Sequence, residues 1–364
     1  MGMTASYDLG AVTRAFEIPG QFVTAAPYGS GHINDSFCVE CDENGCRMRY
    51  IVQRINHRIF TNPIGLMENI ERVTAHLADK VAGQPDRHRR VLSLVPARTD
   101  LAWHVDADGN TWRAYHFIAG ARSYDVVASP EQAFQAARAF GQFQSLLADL
   151  PAPPLHETIP GFHHTPTRFA QLEQAVSSDA AGRAASVRRE IDFALAHRSI
   201  TSVLIEAGLP ARVTHNDTKL NNVLLDDSTG EGVCVIDLDT VMPGLALYDF
   251  GDLVRTTVSP AAEDERDLSR VALQMPMFEG LARGYLSSAG GFLTPAEKQL
   301  LAFSGRLITF EIGLRFLADH LNGDTYFKIH REGHNLDRAR TQFRLVELLE
   351  QKQHSMEKLV ESLG

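Results

Sequence analysis

The sequence predicts an α+β chain of two lobes, a small β-rich lobe over residues 1–119 and a larger, mainly helical lobe over residues 120–364. Three observations predict this architecture. The chain has 364 residues, which is more than one hydrophobic core usually supports. Runs rich in Val, Ile, Phe and Tyr, broken by Gly-bearing turns, dominate its first third. Helical periodicity and Ala-rich, charged segments dominate the rest, apart from strand-like runs within residues 213–240.

In the small lobe we expect the order β, β, α, β, β. Residues 22–55 contain two β-type runs joined by a Gly-bearing turn. A helix is expected from about Asn62, because Pro63 suits a first helical turn and apolar residues then recur at helical spacing. Two more extended runs flank Asp108-Gly109, a typical hairpin turn.

In the large lobe, Ser129-Pro130 begins a helix that ends before a group of prolines at Pro151. Residues 168–208 are Ala-rich and charged, which indicates helices. The segments NVLLDD and VCVIDLD then read as two strands joined by the turn STGEG, and we expect helices again after Pro260.

Composition excludes several classes of protein. The chain carries 35 basic and 45 acidic residues, so its net charge of −10 disfavours binding to nucleic acid or to an acidic membrane over most of its surface. We find no apolar window long enough to span a bilayer and no secretory signal at the start, and we therefore expect a cytoplasmic protein. Cys38, Cys41 and Cys46 are expected to remain thiols on a hairpin, because a zinc site lacks its fourth ligand here.

The segment that carries chemistry contains His215, Asp217 and Asn222 as H-x-D-x-x-x-x-N, with Asp237 after the following hairpin. Phosphoryl transfer needs a carboxylate to accept or orient a hydroxyl proton, and oxygen ligands for a Mg²⁺ ion that bridges the phosphates. Asp217 suits the first task, whereas Asn222 and Asp237 suit the second. Because two antiparallel strands with a tight turn bring their far ends together, we expect Asp237 to lie beside Asn222.

These motifs resemble the protein-kinase-like fold, in its aminoglycoside phosphotransferase and choline kinase branch. Within that branch the string HNDTKLNNVLLD…VIDLDTVMPG is similar to the N-acetylhexosamine 1-kinases. The resemblance covers most of the chain, from YGSGHINDSF near the start to RFLADHLNGDTYFK near the end. It implies a two-lobed kinase that uses ATP and Mg²⁺.

The glycine-rich string of the small lobe is the candidate phosphate loop. Gly29, Ser30 and Gly31 lie between two predicted strands, where backbone N–H groups can approach phosphates. An ordinary hairpin turn is the alternative. The stretch containing Phe117 and Ile118 joins the lobes, and the resemblance implies that its backbone contacts adenine.

The lysine expected on a central strand of the small lobe is missing from IVQRI, so Arg54 is the candidate cation for the α- and β-phosphates. Strand alternation puts Gln53 and Arg54 on opposite faces, and only one of them can face the nucleotide. Glu68 or Glu71 would be the helical partner of the cation, and the sequence does not choose between them.

The acceptor site is assigned through the resemblance. It implies that His32, Arg315 and Tyr326 contact the sugar beside Asp217. An arginine beside a tyrosine fits a sugar pocket, which needs several fixed polar groups. The alternative for Arg315 is an ion pair with Glu311, four residues earlier on the same helix.

Supporting roles are expected for two further residues of the catalytic segment. We interpret His215 as a residue that holds the loop backbone. We interpret Asp239 either as a residue that supports the metal ligands or as a weak metal ligand itself. Asp249-Phe250-Gly251 spells a kinase motif but follows the hairpin, so we interpret it as scaffold. For His163-His164 the sequence indicates only a loop before a helix.

Together these assignments predict an ATP- and Mg²⁺-dependent kinase that phosphorylates the anomeric hydroxyl of N-acetylglucosamine or N-acetylgalactosamine. Alternatives are a phosphotransferase for homoserine, choline or an aminoglycoside, or a non-catalytic binding module with a kinase fold. A choline acceptor needs an aromatic cage, and both tryptophans, Trp103 and Trp112, lie in the predicted small lobe. The oligomeric state is not predicted.

Overall fold

A computed structural model describes residues 7–29, 31 and 33–364. A six-stranded antiparallel sheet forms its first part, in the order β1-β2-β3-β6-β4, with β5 also pairing with β6. The strands and helices of this part are α1 (Leu9–Arg14), β1 (Gln21–Pro27), β2 (Asp35–Glu43), β3 (Cys46–Arg54), α2 (Pro63–Lys80), α3 (Arg87–Arg90), β4 (Leu94–Val95), β5 (His104–Val105) and β6 (Thr111–His116).

The second part contains most of the helices and two small antiparallel sheets, β10-β9-β7 and β11-β8. Its elements are β7 (Ala121–Arg122), α4 (Pro130–Leu146), α5 (Thr165–Ser178), α6 (Arg188–Ala196), α7 (Val203–Glu206), β8 (Arg212–Thr214), β9 (Val223–Asp226), β10 (Gly232–Val235), β11 (Met242–Gly244), α8 (Ala246–Thr257), α9 (Met275–Ala289), α10 (Pro295–Leu321) and α11 (His334–Leu363). The predicted α+β class, with a β-rich first part and a mainly helical second part, is confirmed.

Local sequence signals set several helix starts. The Asn62 side chain caps α2 with Pro63 in its first turn, and the Ser129 side chain caps α4 in the same way. Thr294 and Glu297 form a capping box at the start of α10. Both helix starts predicted from a proline in the first turn are thus confirmed, because the capping chemistry is local.

Two details differ from the prediction. The first β-type run folds as two strands, β1 and β2, so three strands precede α2, and the short helix α1 precedes them all. Helix α8 begins at Ala246, before Pro260, where no helix is predicted. It contains the Asp249-Phe250-Gly251 string. A side chain at Gly251 would collide with α10, where the Ser304 carbonyl oxygen lies 2.6 Å from the position of its Cβ. The glycine therefore allows α8 and α10 to pack closely.

Among the described residues the core has one large cluster and two smaller ones. The first small cluster lies on the α1 side of the first sheet and contains Val39, Val52 and Trp112. The second consists of Ile118, Ala121, Val233 and Cys234. The large cluster spans the helices of the second part and extends to α2 and to Tyr115 on β6. Apolar burial is therefore continuous from the second part of the chain to one face of the first sheet. The boundary near Gly120 stays a prediction. No helix among the described residues has the length and apolar character needed to cross a bilayer.

Candidate active site

The loop between β8 and β9 holds Asp217, and buried hydrogen bonds fix its backbone. Asp249, on α8, accepts the backbone N–H of His215 at 2.8 Å and that of Asn216 at 2.7 Å. The Thr218 hydroxyl donates to the Asp249 carbonyl at 2.6 Å. Asp249 is fully buried, and burial raises its pKa. The residue interpreted as scaffold thus clamps the loop that carries Asp217.

His215 is held at both ring nitrogens. Its Nε2 lies 2.9 Å from the Ile236 carbonyl oxygen, which can only accept, so Nε2 carries the proton. Its Nδ1 accepts the backbone N–H of Asp217 at 3.3 Å. This neutral tautomer ties the catalytic loop to the strand end before Asp237, in keeping with the supporting role expected for His215.

The hairpin β9–β10 brings the predicted catalytic and metal residues together. Ile236 donates its backbone N–H to the Asn222 carbonyl at 2.9 Å, which places Asp237 one residue from the strand end that carries Asn222. The Asn222 side-chain amide donates to the backbone carbonyl of Asp217 at 2.8 Å and to its carboxylate at 3.1 Å. Asp237 adopts a left-handed conformation with φ +61° and is exposed.

Charge at this site is unbalanced. Asp217, Asp237 and Asp239 lie within electrostatic range of one another, against the cations Lys219 and Arg113. The pKa of Asp237 is raised to about 6. The main cause is that surrounding protein limits the hydration of its carboxylate, and repulsion from Asp239 and Asp217 adds to it. A surplus of negative charge of this kind is what a divalent cation neutralises.

The donor set fits Mg²⁺. The Asn222 amide nitrogen points to Asp217, so the side-chain oxygen of Asn222 points the other way. This oxygen and the Asp237 carboxylate are the two candidate ligands for Mg²⁺. In the part of the chain that the structure describes, no group of three or more His, Cys, Asp or Glu side chains is arranged to hold a metal. A site with these two protein ligands leaves the remaining positions to phosphate and water, which suits Mg²⁺.

Lys219 is a residue that the sequence analysis did not identify. Its Nζ lies 3.0 Å from the Asp217 carboxylate. Burial alone would raise the pKa of Asp217, but the Lys219 ammonium outweighs it and holds that pKa below its usual value. Asp217 is therefore ionised at neutral pH and able to accept a hydrogen bond from an incoming hydroxyl.

Arg54 is not the cation that faces this site, and the expectation for it is corrected. It forms an ion pair with Asp35, at 2.7 Å, and lies over the Tyr7 ring on the α1 side of the sheet. Its neighbour Gln53 lies on the opposite face, as alternation requires, and accepts a hydrogen bond from Arg113 at 3.0 Å. Glu68 pairs with His156, at 2.7 Å, rather than with Arg54.

Arg113, on β6, is the arginine of the first sheet that contacts Asp239. Its side chain is 1% exposed and forms a short ion pair with Asp239, which also accepts a hydrogen bond from Asn34. Both oxygens of Asp239 are thus engaged, which favours a supporting role for it over a metal ligand. The signal that points to Arg113 is a charged residue inside the otherwise apolar run of β6, where every position up to Tyr115 is buried.

We predict that Arg113→Met destabilises the protein by about 3–5 kcal/mol, because it leaves Asp239 as a buried and uncompensated charge. Urea unfolding of the full chain measures this loss. Arg122→Met is the matched control. The Arg122–Asp227 pair is exposed, with 64% of the Arg122 side chain accessible, so its loss is expected to leave stability almost unchanged. Equal effects of the two substitutions would contradict the prediction.

The candidate phosphate loop lies between β1 and β2, as predicted. Gly29 has φ +83°, a conformation that favours glycine, and a Cβ on Gly29 or Gly31 would meet no atom within 4 Å. Ser30 and His32 lie outside the described residues, so their predicted roles stay predictions. Phe117 donates its backbone N–H to the Arg49 carbonyl at 3.3 Å, and the Arg49 guanidinium covers its ring at 3.9 Å. Ile118 is buried.

Arg315 and Tyr326, predicted to contact the acceptor, lie in one region. The Arg315 guanidinium stacks on Phe162 at 4.9 Å and on Phe327 at 5.6 Å. The neighbouring Tyr326 ring is 53% exposed, and Asp319 fixes its loop by accepting its backbone N–H at 2.8 Å.

Glu311, the alternative partner of Arg315, is bonded to other side chains. It accepts hydrogen bonds from His163 and Thr165. Phe162, on which Arg315 stacks, also lines a cavity of about 120 Å³ beside the catalytic loop. The other residues that line this cavity are Glu157, Gly161, His163, His164, Asn216, Met242, Pro243, Gly244 and Tyr248.

Comparison with known proteins assigns the family. Residues 24–287 match the model of the phosphotransferase enzyme family. The chain belongs to this family.

Solved structures with the same fold cover nearly the whole chain. An aminoglycoside phosphotransferase from Alicyclobacillus acidocaldarius is 14% identical, with coverage of 100% of this chain and 99% of that one and a TM-score of 0.62. A microcompartment-associated aminopropanol kinase is 18% identical, with coverage of 96% and 98% and a TM-score of 0.57. A spectinomycin phosphotransferase in complex with ADP and spectinomycin is 14% identical, with coverage of 94% and 95% and a TM-score of 0.50. At these identities the similarity concerns the fold.

Proposed function

We propose that this phosphotransferase is an ATP-dependent kinase that phosphorylates the anomeric hydroxyl of an N-acetylhexosamine and releases the sugar 1-phosphate and ADP. The observation that carries the proposal is the hairpin closure that brings Asp217, Asn222 and Asp237 into one site. The presence of ADP in the spectinomycin phosphotransferase, which shares the fold, supports the choice of nucleotide.

Asp217 is proposed as the residue that accepts the proton of the attacking hydroxyl. Its carboxylate is ionised, and the buried contacts of Asp249 and His215 hold its backbone. The oxygen of the acceptor attacks the γ-phosphorus in line, and the bond from phosphorus to the leaving ADP oxygen breaks. Because the transition state is loose, the proton moves late and Asp217 needs no raised pKa. When bound on Asn222 and Asp237, Mg²⁺ would supply charge neutralisation at the phosphates.

The sugar class rests on the resemblance of HNDTKLNNVLLD…VIDLDTVMPG and RFLADHLNGDTYFK, together with the region of Arg315 and Tyr326. A guanidinium stacked between two aromatic rings and an exposed tyrosine provide fixed polar groups beside apolar surface, as sugar recognition requires. His32 is proposed as a further contact on the same resemblance.

An amine-bearing alcohol is the second candidate acceptor. The aminopropanol kinase, which shares this fold, is named for an amine-bearing alcohol. An amine needs carboxylates or an aromatic cage. Glu157 lines the cavity beside the catalytic loop and is a candidate carboxylate for such a ligand.

A panel of acceptors tests the proposal. We expect ADP release and a ³¹P signal of an anomeric phosphate with N-acetylglucosamine or N-acetylgalactosamine, and little turnover with glucose, homoserine, choline, an amino alcohol or an aminoglycoside. Turnover confined to an amine-bearing acceptor would replace the sugar assignment. ATP binding without turnover of any acceptor would favour the non-catalytic module.

A further inference from the structure

His163 lies in the loop before α5, where it is 5% exposed, and the proposed chemistry does not use it. Its Nδ1 lies 2.8 Å from a carboxylate oxygen of Glu311, in the middle of α10. Its Nε2 lies 3.1 Å from the backbone carbonyl oxygen of Asn216, the residue immediately before Asp217. The histidine therefore bridges a buried carboxylate and the catalytic loop.

Both ring nitrogens face oxygen acceptors, which determines the protonation state. A carbonyl oxygen cannot donate, so Nε2 must carry a hydrogen. The Glu311 carboxylate already accepts the Thr165 hydroxyl at 2.6 Å, and its pKa is lowered: burial would raise it, but His163 and Thr165 outweigh burial. An ionised Glu311 accepts from Nδ1 as well, and an imidazole with two N–H groups is an imidazolium.

The charges around the ring agree with this assignment. Burial would lower the pKa of His163, but Glu311 on α10 and Asp252 on α8 outweigh it and raise that pKa above its ordinary value. Tyr248, also on α8, lies with its ring 5.3 Å from the imidazole. Arg315 acts on Glu311 and lowers the pKa of the carboxylate further. The pair thus remains ionised at neutral pH.

The carbonyl that His163 holds is at a strained position. Asn216 adopts φ +65°. Its backbone N–H donates to the Asp249 carboxylate at 2.7 Å, and the Asn216 side-chain amide donates to the Thr240 carbonyl oxygen at 2.8 Å. The peptide between Asn216 and Asp217 immediately precedes the catalytic side chain, and His215 holds its N–H side at 3.3 Å. A charge-assisted hydrogen bond to its carbonyl fixes the plane of this peptide.

We propose that His163, as a buried imidazolium paired with Glu311, is a positioning residue that holds the Asn216 carbonyl and thereby aims Asp217 at the acceptor hydroxyl. The inference rests on the proposed role of Asp217. His163 and Asn216 both line the cavity beside the catalytic loop. The effect is therefore expected on turnover rather than on nucleotide binding.

Glu311→Gln tests the proposal, because it keeps the shape of the side chain and removes the charge that sustains the imidazolium. With N-acetylglucosamine and ATP at about pH 8, we expect kcat to fall roughly 10- to 100-fold, the scale of a catalytic group misplaced by an ångström, while KM for ATP stays unchanged. The loss should shrink as the pH falls, since protonation of His163 in acid restores the imidazolium. Wild-type kcat should fall only at more alkaline pH, where the pair loses its proton.

Glu350→Gln is the matched control. Glu350 also pairs with a histidine, His197, at 3.5 Å, and with Arg306 at 3.4 Å. Its removal should leave kcat and the pH profile unchanged. A wild-type kcat in Glu311→Gln at every pH would overturn the proposal.

A measurement without any acceptor separates this inference from the proposed function. In ¹⁵N spectra of the histidine side chains at about pH 7, we expect His163, assigned by its absence in His163→Gln, to show two protonated ring nitrogens. A single protonated nitrogen would overturn the inference, whether or not Glu311→Gln folds. If wild-type enzyme does not turn over the sugar, the proposed acceptor fails, while the protonation state of His163 is still measured.

Discussion

Asp217→Asn is expected to lower kcat roughly 10²- to 10⁴-fold, the contribution typical of a positioned general base. Asparagine keeps the size of the side chain but cannot accept the hydroxyl proton. Affinity for ATP should be retained, because Asn222 and Asp237 remain in place. Initial rates of ADP release with the best acceptor measure kcat, and calorimetry measures nucleotide affinity.

The ion pair of Asp217 with Lys219 also disappears in this variant, so thermal unfolding must be compared with that of the wild type. Asp227→Asn is the matched control. Asp227 is ionised and paired with Arg122, and it lies in the β9–β10 turn rather than in the catalytic loop. It should retain wild-type kcat. A kcat of Asp217→Asn within a few-fold of the wild type would remove Asp217 from the mechanism.

Asp237→Asn is expected to weaken binding of ADP in the presence of Mg²⁺ by roughly 100-fold or more, since altering even an indirect contact of a metal ligand typically costs 10- to 100-fold in affinity. Asparagine tolerates the left-handed backbone that Asp237 adopts, so the local fold should persist. Calorimetry with ADP, with and without Mg²⁺, measures the difference.

The stability of Asp237→Asn, unlike its affinity for ADP with Mg²⁺, is not expected to fall. Asp239 and Asp217 repel the Asp237 carboxylate, and its hydration is limited, so removing its charge should leave the free energy of unfolding unchanged or raise it. A variant that loses stability and still binds Mg²⁺ and ADP with wild-type affinity would show that Asp237 is structural. Affinity for ADP without Mg²⁺ is the internal control, and it should not change.

Much of the fold follows from local signals. The caps at Asn62 and Ser129 and the turn at Asp108-Gly109 use chemistry within a few residues, so the sequence is sufficient to locate them. Helix α8 was missed because its start has no capping side chain and because most of its side chains, including those of Asp249 and Asp252, are buried. Burial of this kind is a property of the packed protein.

The candidate site divides in the same way. The spacing of Asp217, Asn222 and Asp237 is a sequence property, because a hairpin with a short turn has one geometry. The partner of a charged side chain is not a property of the sequence. Arg54 and Arg113 both lie on strands, and the packing of α1 on one face of the sheet decides which of them lies on the side of the active site.

The sequence by itself therefore determined the three residues proposed for chemistry and metal binding, because these depend on short-range spacing and on strand pairing. Its motifs indicated the kinase-like fold through their resemblance to that family. Tertiary structure alone decided how the catalytic loop is held. Asp249, His163 and Glu311 hold it from separate parts of the chain, and His163 and Glu311, which are bonded to each other, lie 148 residues apart in sequence. Hydrogen bonds between buried groups depend on distances that no sequence period encodes, since packing of whole helices sets them.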